Sequence, residues 1–190
     1  MDWEVEPMET NSGVDSMRAA IARFVDKAPG SNSLLAFIGH GIEVGGDNIF
    51  LPQDVGCRGG GGPAPGARPA PGTIREGGTL PGEFLTGCIS FADVQRAFSE
   101  CRGDNPAEVT LFVFDCCRSV FAPAAPPPPR VEAKVLNSLV VFSTSSGRTA
   151  QDGLAGEGGP FMNAFTQEMV RDGLSIHQVF LPGLLPRSVG

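Results

Sequence analysis

Two short stretches of this sequence carry side chains capable of covalent chemistry. In VTLFVFDCCRSV, residues 109–120, an apolar run ends in Asp115, Cys116, Cys117 and Arg118. In SLLAFIGHG, residues 33–41, a similar run ends in His40 between two glycines. A cysteine attacks as its thiolate, and histidine is the usual group that takes and returns its proton near neutral pH. One of the vicinal cysteines and His40 therefore make a candidate nucleophile and base, provided the fold joins them. Strand alternation puts Asp115 on the same face as Cys117. There it either meets a cationic group or bonds locally, to a backbone turn or to Arg118. Taken alone, His40 also reads as a hydrogen-bonded turn residue, and each cysteine as a small buried hydrophobe. His177, the other histidine of the chain, falls in a helical pattern that suits a structural role.

The whole chain is acidic. Its 190 residues carry a formal net charge of −7, which argues against nucleic acid or an anionic membrane as partner and suits a cationic ligand. No apolar stretch approaches the roughly 20 residues of a membrane span, and MDWEVEPMET is no signal peptide. A cytoplasmic location is the expectation. The cysteines at 57, 88, 101, 116 and 117 form no CxxC pair, so neither a disulfide framework nor a zinc site is signalled. No cluster of acids suggests a calcium site, and no cofactor is expected.

The elements that must position these groups follow from the apolar pattern. WEVEPM, residues 3–8, suits a short edge strand. Asn11 and Ser12 offer N-cap chemistry to a helix carrying Val14, Met17, Ile21, Phe24 and Val25, which Pro29-Gly30 ends. SLLAFIGHG reads as an interior strand closing in a tight turn, and IEVGGDNIFLP as a hairpin about Gly45-Gly46. Residues 56–86 open with a glycine- and proline-rich tract and form an insertion loop. Ser90 and Asp93 begin a second helix with Phe91, Val94, Ala97 and Phe98 on one face. VTLFVFD is a strand, residues 121–134 a proline-rich linker, and SLVVFSTSSG a further strand. Pro160 opens a helix running toward Gly173, and GLSIHQVF starts another. Apolar strands alternating with helices indicate an α/β fold with a mostly parallel sheet covered on both faces, in which functional groups gather beyond the carboxyl ends of strands.

In that order, LLAFIGHG, DNIFLPQDV, FVFDCCRS and VVFSTSSGRTAQDGLAGEGGPFMNAF resemble the caspase-fold cysteine peptidases of the C14 type, and most closely their metacaspase, orthocaspase and paracaspase branches. The similarity runs over roughly residues 3–180, apart from the two low-complexity tracts. It implies a single three-layer catalytic domain over 1–190, without the central strand and helix with which the family's domain usually begins. The linker at 121–134 would join large- and small-subunit-like parts. The family's dyad maps onto His40 and Cys117, leaving Cys116 at a variable position. The resemblance further implies oxyanion donors at the N–H groups of Gly41 and Cys117, and Asp115 in the pocket for a substrate arginine or lysine. Ser143 would be a contact on the strand edge that pairs with substrate. Ile38 stands where many metacaspases carry serine, and Arg118-Ser119-Val120 replaces the His-Ser-Gly of one branch. Some related branches need calcium. If the chain is active, the exposed linker with Arg130 and Lys134 would be a self-cleavage site.

Together these readings favour a cysteine endopeptidase acting on protein or peptide substrates after arginine or lysine. The alternatives are a non-catalytic caspase-like module with an interaction or regulatory role, and a thiol protein using its cysteines for redox or metal chemistry.

Overall fold

The computed structural model describes residues 4–7, 9–10, 12–55, 79–80, 82–102, 108–123, 135, 137–151, 159–171, 173 and 175–180. The chain divides into two compact units, Met1–Thr149 and Ala150–Gly190. All the candidate site residues lie in the first.

The first unit opens with helix α1, Val14–Lys27, followed by strand β1, Ser33–Val44, and strand β2, Asp47–Leu51. Strand β3, Thr79–Leu80, helix α2, Gly82–Thr86, and strand β4, Ile89–Ser90, lead into helix α3, Phe91–Arg102. Strands β5, Thr110–Cys116, β6, Ser119–Pro123, and β7, Ser138–Phe142, complete the sheet. The second unit holds helices α4, Pro160–Met169, and α5, Ile176–Val179. Among the described residues the sheet has seven strands. It is mixed but mostly parallel: β1 pairs in parallel with β5 and β6, β5 with β7, and β3 with β6. Among the described residues the β1–β2 and β2–β4 pairs are antiparallel. This is the α/β, mostly parallel arrangement expected from the alternating pattern.

The core of the first unit is aromatic. Phe50, Phe91, Phe98, Phe112 and Phe114 are buried together with Val14 and Val25 of α1 and Val94 of α3. Phe91 meets the rings of Phe112 and Phe114 edge-on, with centroids 5.3 and 4.7 Å away. Such pairs add about 0.5–1.5 kcal/mol each beyond the burial of their area. A second buried cluster, with Ile42, Val44, Ile49, Leu80 and Phe121, lies under the far half of β1.

Several local expectations are corrected. Residues 4–7 are not a strand; Glu4, Glu6 and Glu9 bind Lys27 and Arg23 instead, so charge rather than ladder pairing holds this segment to α1. Gly13, not Ser12 or Asn11, stands at the N-cap of α1, and the helix receives its cap from afar: the Val14 N–H donates to Asp54 Oδ1 at 2.9 Å. A side chain at 13 would collide with that carboxylate, since a Cβ there would lie 2.8 Å from Asp54 Oδ2. β1 does not turn at Gly39-His40-Gly41 but runs straight through to Val44, because new partners take over where β5 ends. The hairpin turn comes later, with Gly45 and Gly46 at φ of 58° and 83°, the left-handed pair a two-residue hairpin demands. The 56–86 insertion ends in β3 and α2, since Leu80 finds burial in the second cluster and β3 finds β6 to pair with. Likewise β6 extends to Pro123 within the expected linker. Residues 56–78, and 124–134 with Arg130 and Lys134, lie outside the described residues. The strand expected over 138–147 stops at Phe142, and Ser143–Gly147 bends into a turn.

Ser90 caps α3 as its spacing suggests: its Oγ accepts from the Asp93 N–H at 3.2 Å. Asp47 of β2 adds a second support, its Oδ1 accepting from the Ala92 N–H at 3.2 Å and its Oδ2 from the Ser90 hydroxyl at 2.6 Å. The buried Asp47 carboxylate thus ties the helix start to the hairpin. Asp47→Ala should cost about 1–3 kcal/mol of stability. In a urea titration this reads as a lower midpoint with an unchanged slope.

Candidate active site

Cys117 owes its place to a change of partner along β1. Over Ser33–Gly39 the neighbour is β5, in register from Ser33↔Thr110 to Gly39↔Cys116. From His40 onward β1 pairs with β2, and from Ile42 also with β6. Cys117 and Arg118 are the two residues between the end of β5 and the start of β6. The cysteine therefore sits in a break in the sheet, beside the strand that carries the histidine.

The faces are consistent. Ile38 is the register partner of Asp115, and alternation along β1 and β5 puts Ile38, His40, Asp115 and Cys117 on one side of the sheet. His40 is exposed and Cys117 half-buried. Ile38 is 62 % exposed, leaving this side open beside the histidine. Gly39 and Gly41 alternate to the other side. Gly41 is tightly enclosed, for a Cβ on it would lie 2.8 Å from Cys116 Sγ and 2.9 Å from the Cys117 carbonyl oxygen. The glycine at 41 is required because the two strand ends touch there.

The two vicinal thiols differ. Cys116 packs into the aromatic core and is buried. Burial, with smaller contributions from the negative charges of Cys117 and Asp115, pushes its thiol up to about 12 against the weaker opposing effect of Arg118. It stays protonated at neutral pH and is no nucleophile. Cys88, buried at the start of β4, is likewise pushed up to about 12, chiefly by desolvation.

Asp115 is only 7 % exposed, and among the described residues no hydrogen bond or ion pair holds its carboxylate. The local bond to Arg118 that its position allows is not made. Arg118 turns instead to the opposite side, where Nη2 donates to Glu43 Oε2 at 3.1 Å and Nε to Asn48 Oδ1 at 2.8 Å. Ser143 lies beyond β5 from the histidine, and its N–H donates to the Phe114 carbonyl at 2.8 Å, prolonging the β5–β7 ladder by one step. Its hydroxyl is buried without a hydrogen-bond partner among the described residues. The structure thus brings the backbones around His40, Gly41 and Cys117 together, with Asp115 one strand position away. Ser143 stands across the neighbouring strand. His177 belongs to the second unit, and its side chain is outside the described residues. Among the described residues no group of three or more His, Cys, Asp or Glu side chains is placed to hold a metal ion, and no helix is long and apolar enough to cross a membrane.

Residue-by-residue reading missed the role of Arg118. Its signal was present in Glu43 and Asn48, which straddle the hairpin as cross-strand partners shortly after His40 on β1.

A family model described as the caspase domain, peptidase family C14, matches residues 2–181. Comparison with curated proteins gives no match.

Brief iodoacetamide treatment at pH 8, followed by peptide mapping, should label Cys117 and leave Cys116 and Cys88 largely intact. Thiols raised to about 12 are protonated at that pH, and only thiolates alkylate. Gly41→Ala should slow Cys117 labelling as the strand ends separate. Unchanged labelling in a folded Gly41→Ala protein would contradict the tight contact.

Proposed function

The chain belongs to the caspase-domain family of cysteine peptidases, and from that premise we propose that it is an endopeptidase cutting after arginine or lysine with His40 and Cys117 as its dyad. The Cys117 thiolate adds to the carbonyl carbon of the scissile peptide. The N–H groups of Gly41 and Cys117 donate to the oxyanion that forms. His40 delivers its proton to the leaving amine, the C–N bond breaks, and an acyl-enzyme thioester remains. Water then attacks the thioester while His40 accepts its proton. The carboxylate product leaves and the thiol is restored.

The observation that carries the specificity is the state of Asp115. A carboxylate this enclosed, with no partner among the described residues and on the side of the sheet shared with Cys117, suits a guanidinium or ammonium brought by the substrate. Ser143 follows Phe142 on the next strand and would border the same pocket. The net charge of −7 favours approach of a basic peptide.

Fluorogenic peptides ending in arginine, lysine or aspartate provide the test. Arginine and lysine substrates should be turned over and the aspartate substrate left intact. Cys117→Ala should abolish turnover, and His40→Ala should lower kcat by about a thousandfold or more. Asp115→Asn removes one charge-assisted contact, worth about 1.5–3 kcal/mol, and should lower kcat/KM by about ten- to a hundredfold. No turnover by folded wild-type protein, or turnover indifferent to Cys117→Ala, would overturn the reading.

A further inference from the structure

We propose that Arg118 is a positioning residue that locks the Cys117 nucleophile against the strand carrying His40, an inference resting on the reading of Cys117 as nucleophile. Arg118 is the only residue between Cys117 and β6, and it is held at both its backbone and its side chain. Its N–H donates to the Arg148 carbonyl at 2.8 Å, and its own carbonyl accepts from the Gly147 N–H at 2.8 Å. Its guanidinium reaches Glu43 and Asn48 and lies 4.3 Å over the ring of Phe142.

Each contact anchors a different segment. Glu43 and Asn48 are paired across the β1–β2 hairpin, three residues beyond His40. Phe142 ends β7, and Gly147-Arg148 belong to the turn that follows it. Arg118 therefore joins the histidine strand, the cysteine break and the segment after β7. Its side chain points to the Phe142 side of the sheet, away from the face of Cys117 and Asp115, so it touches no reacting atom. The Arg118 and Glu43 side chains are 18 % and 14 % exposed, which limits screening of the pair by salt. Lysine cannot replace the fork, because two acceptors are addressed by separate nitrogens of one planar group that also stacks on an aromatic ring.

The break in the sheet explains why a clamp is needed. Cys116 is fixed by the β1–β5 ladder, and Ser119 by pairing with Ile42. Cys117 has no ladder of its own, so its carbonyl and Sγ are placed by the residues on either side. A misplacement of about 1 Å between reacting groups costs on the order of a hundredfold in rate.

Arg118→Ala, Arg118→Lys, Glu43→Gln and Asn48→Ala test this, with circular dichroism confirming the fold. The readouts are kcat and KM on an arginine fluorogenic peptide, and the rate at which iodoacetamide labels Cys117, located by peptide mapping. Arg118→Ala should lower kcat by about tenfold or more, leave KM within about twofold, and slow Cys117 labelling. Arg118→Lys should restore only a minor part of kcat. Glu43→Gln and Asn48→Ala should each lower kcat by about threefold, and neither should add fully to Arg118→Ala. A folded Arg118→Ala protein with kcat within about twofold of wild type, a loss confined to KM, or full rescue by lysine overturns the proposal. If Arg118→Ala does not fold, Glu43→Gln and Asn48→Ala decide, and kcat unchanged in both overturns it. If wild-type protein turns over no peptide, the peptidase reading fails separately, and labelling still decides the clamp: equal Cys117 rates in wild type and Arg118→Ala overturn it, and a slower rate in Arg118→Ala supports it.

Discussion

The site depends on a single exchange of hydrogen-bonding partners along β1. This strand is twelve residues long, and no one neighbour accompanies it throughout. β5 serves the first seven positions, while β2 and β6 serve the rest. Where one neighbour stops and the next begins, the crossing chain leaves the ladder for two residues. A strand buried in mid-sheet has its backbone fully committed to pairing; at the break the Cys117 backbone is free of the sheet while its flanks remain anchored. The proposed oxyanion donor at Cys117 and the exposed imidazole of His40 both follow from that geometry.

Rigidity at the break is supplied from below. The ring cluster of Phe50, Phe91, Phe112, Phe114 and Phe142 lies on the side of the sheet away from Asp115. Cys116 closes the top of this cluster, and its raised thiol follows from being part of the core. Gly41 then rests on the Cys116 sulfur. A larger residue at 41 or at 116 would lift β1 from β5 where the backbones of His40 and Cys117 approach. The identity of Cys116 thus matters through volume, as a small apolar group, and its chemistry is silenced by the same burial that makes it useful.

Much of this was legible in the sequence. Continuous apolar runs marked the interior strands, Ser90 with Asp93 marked the start of α3, and the glycine pair at 45–46 marked the hairpin. The expectation that His40 and Cys117 act together came from the order of motifs, since a separation of this length along the chain says nothing of proximity. The misreadings share one cause, the dominance of tertiary partners over local pattern. Gly-His-Gly looked like a turn because glycines usually end strands, but β2 and β6 continued the ladder and the second glycine was needed for contact with Cys116. Ser12 looked like a cap because its type suits the role, but Asp54, forty residues away in sequence, reached the helix first. WEVEPM looked like a strand from its alternation, but its acids met the cations of α1. Arg118 was the hardest to place, because the neighbouring Asp115 was the evident carboxylate partner while Glu43 lies 75 residues away in sequence.

That choice of carboxylate explains why the two acids are not equivalent. An arginine three residues from Asp115 could have neutralised it and so lowered the cost of its burial. It pairs instead with Glu43, where a second acceptor, Asn48, and the Phe142 ring complete its surroundings. The contacts of Arg118 lie on the Phe142 side of the sheet, away from Asp115, and a guanidinium already stacked and doubly bonded has no reason to cross it. The enclosed Asp115 carboxylate is therefore left without an ion-pair partner among the described residues, beside a candidate nucleophile. On the proposed reading its partner is the cationic side chain that enters with the substrate. On that reading one sheet edge would serve two separate electrostatic tasks, with Arg118 and Glu43 holding the framework on one face and Asp115 meeting the substrate on the other.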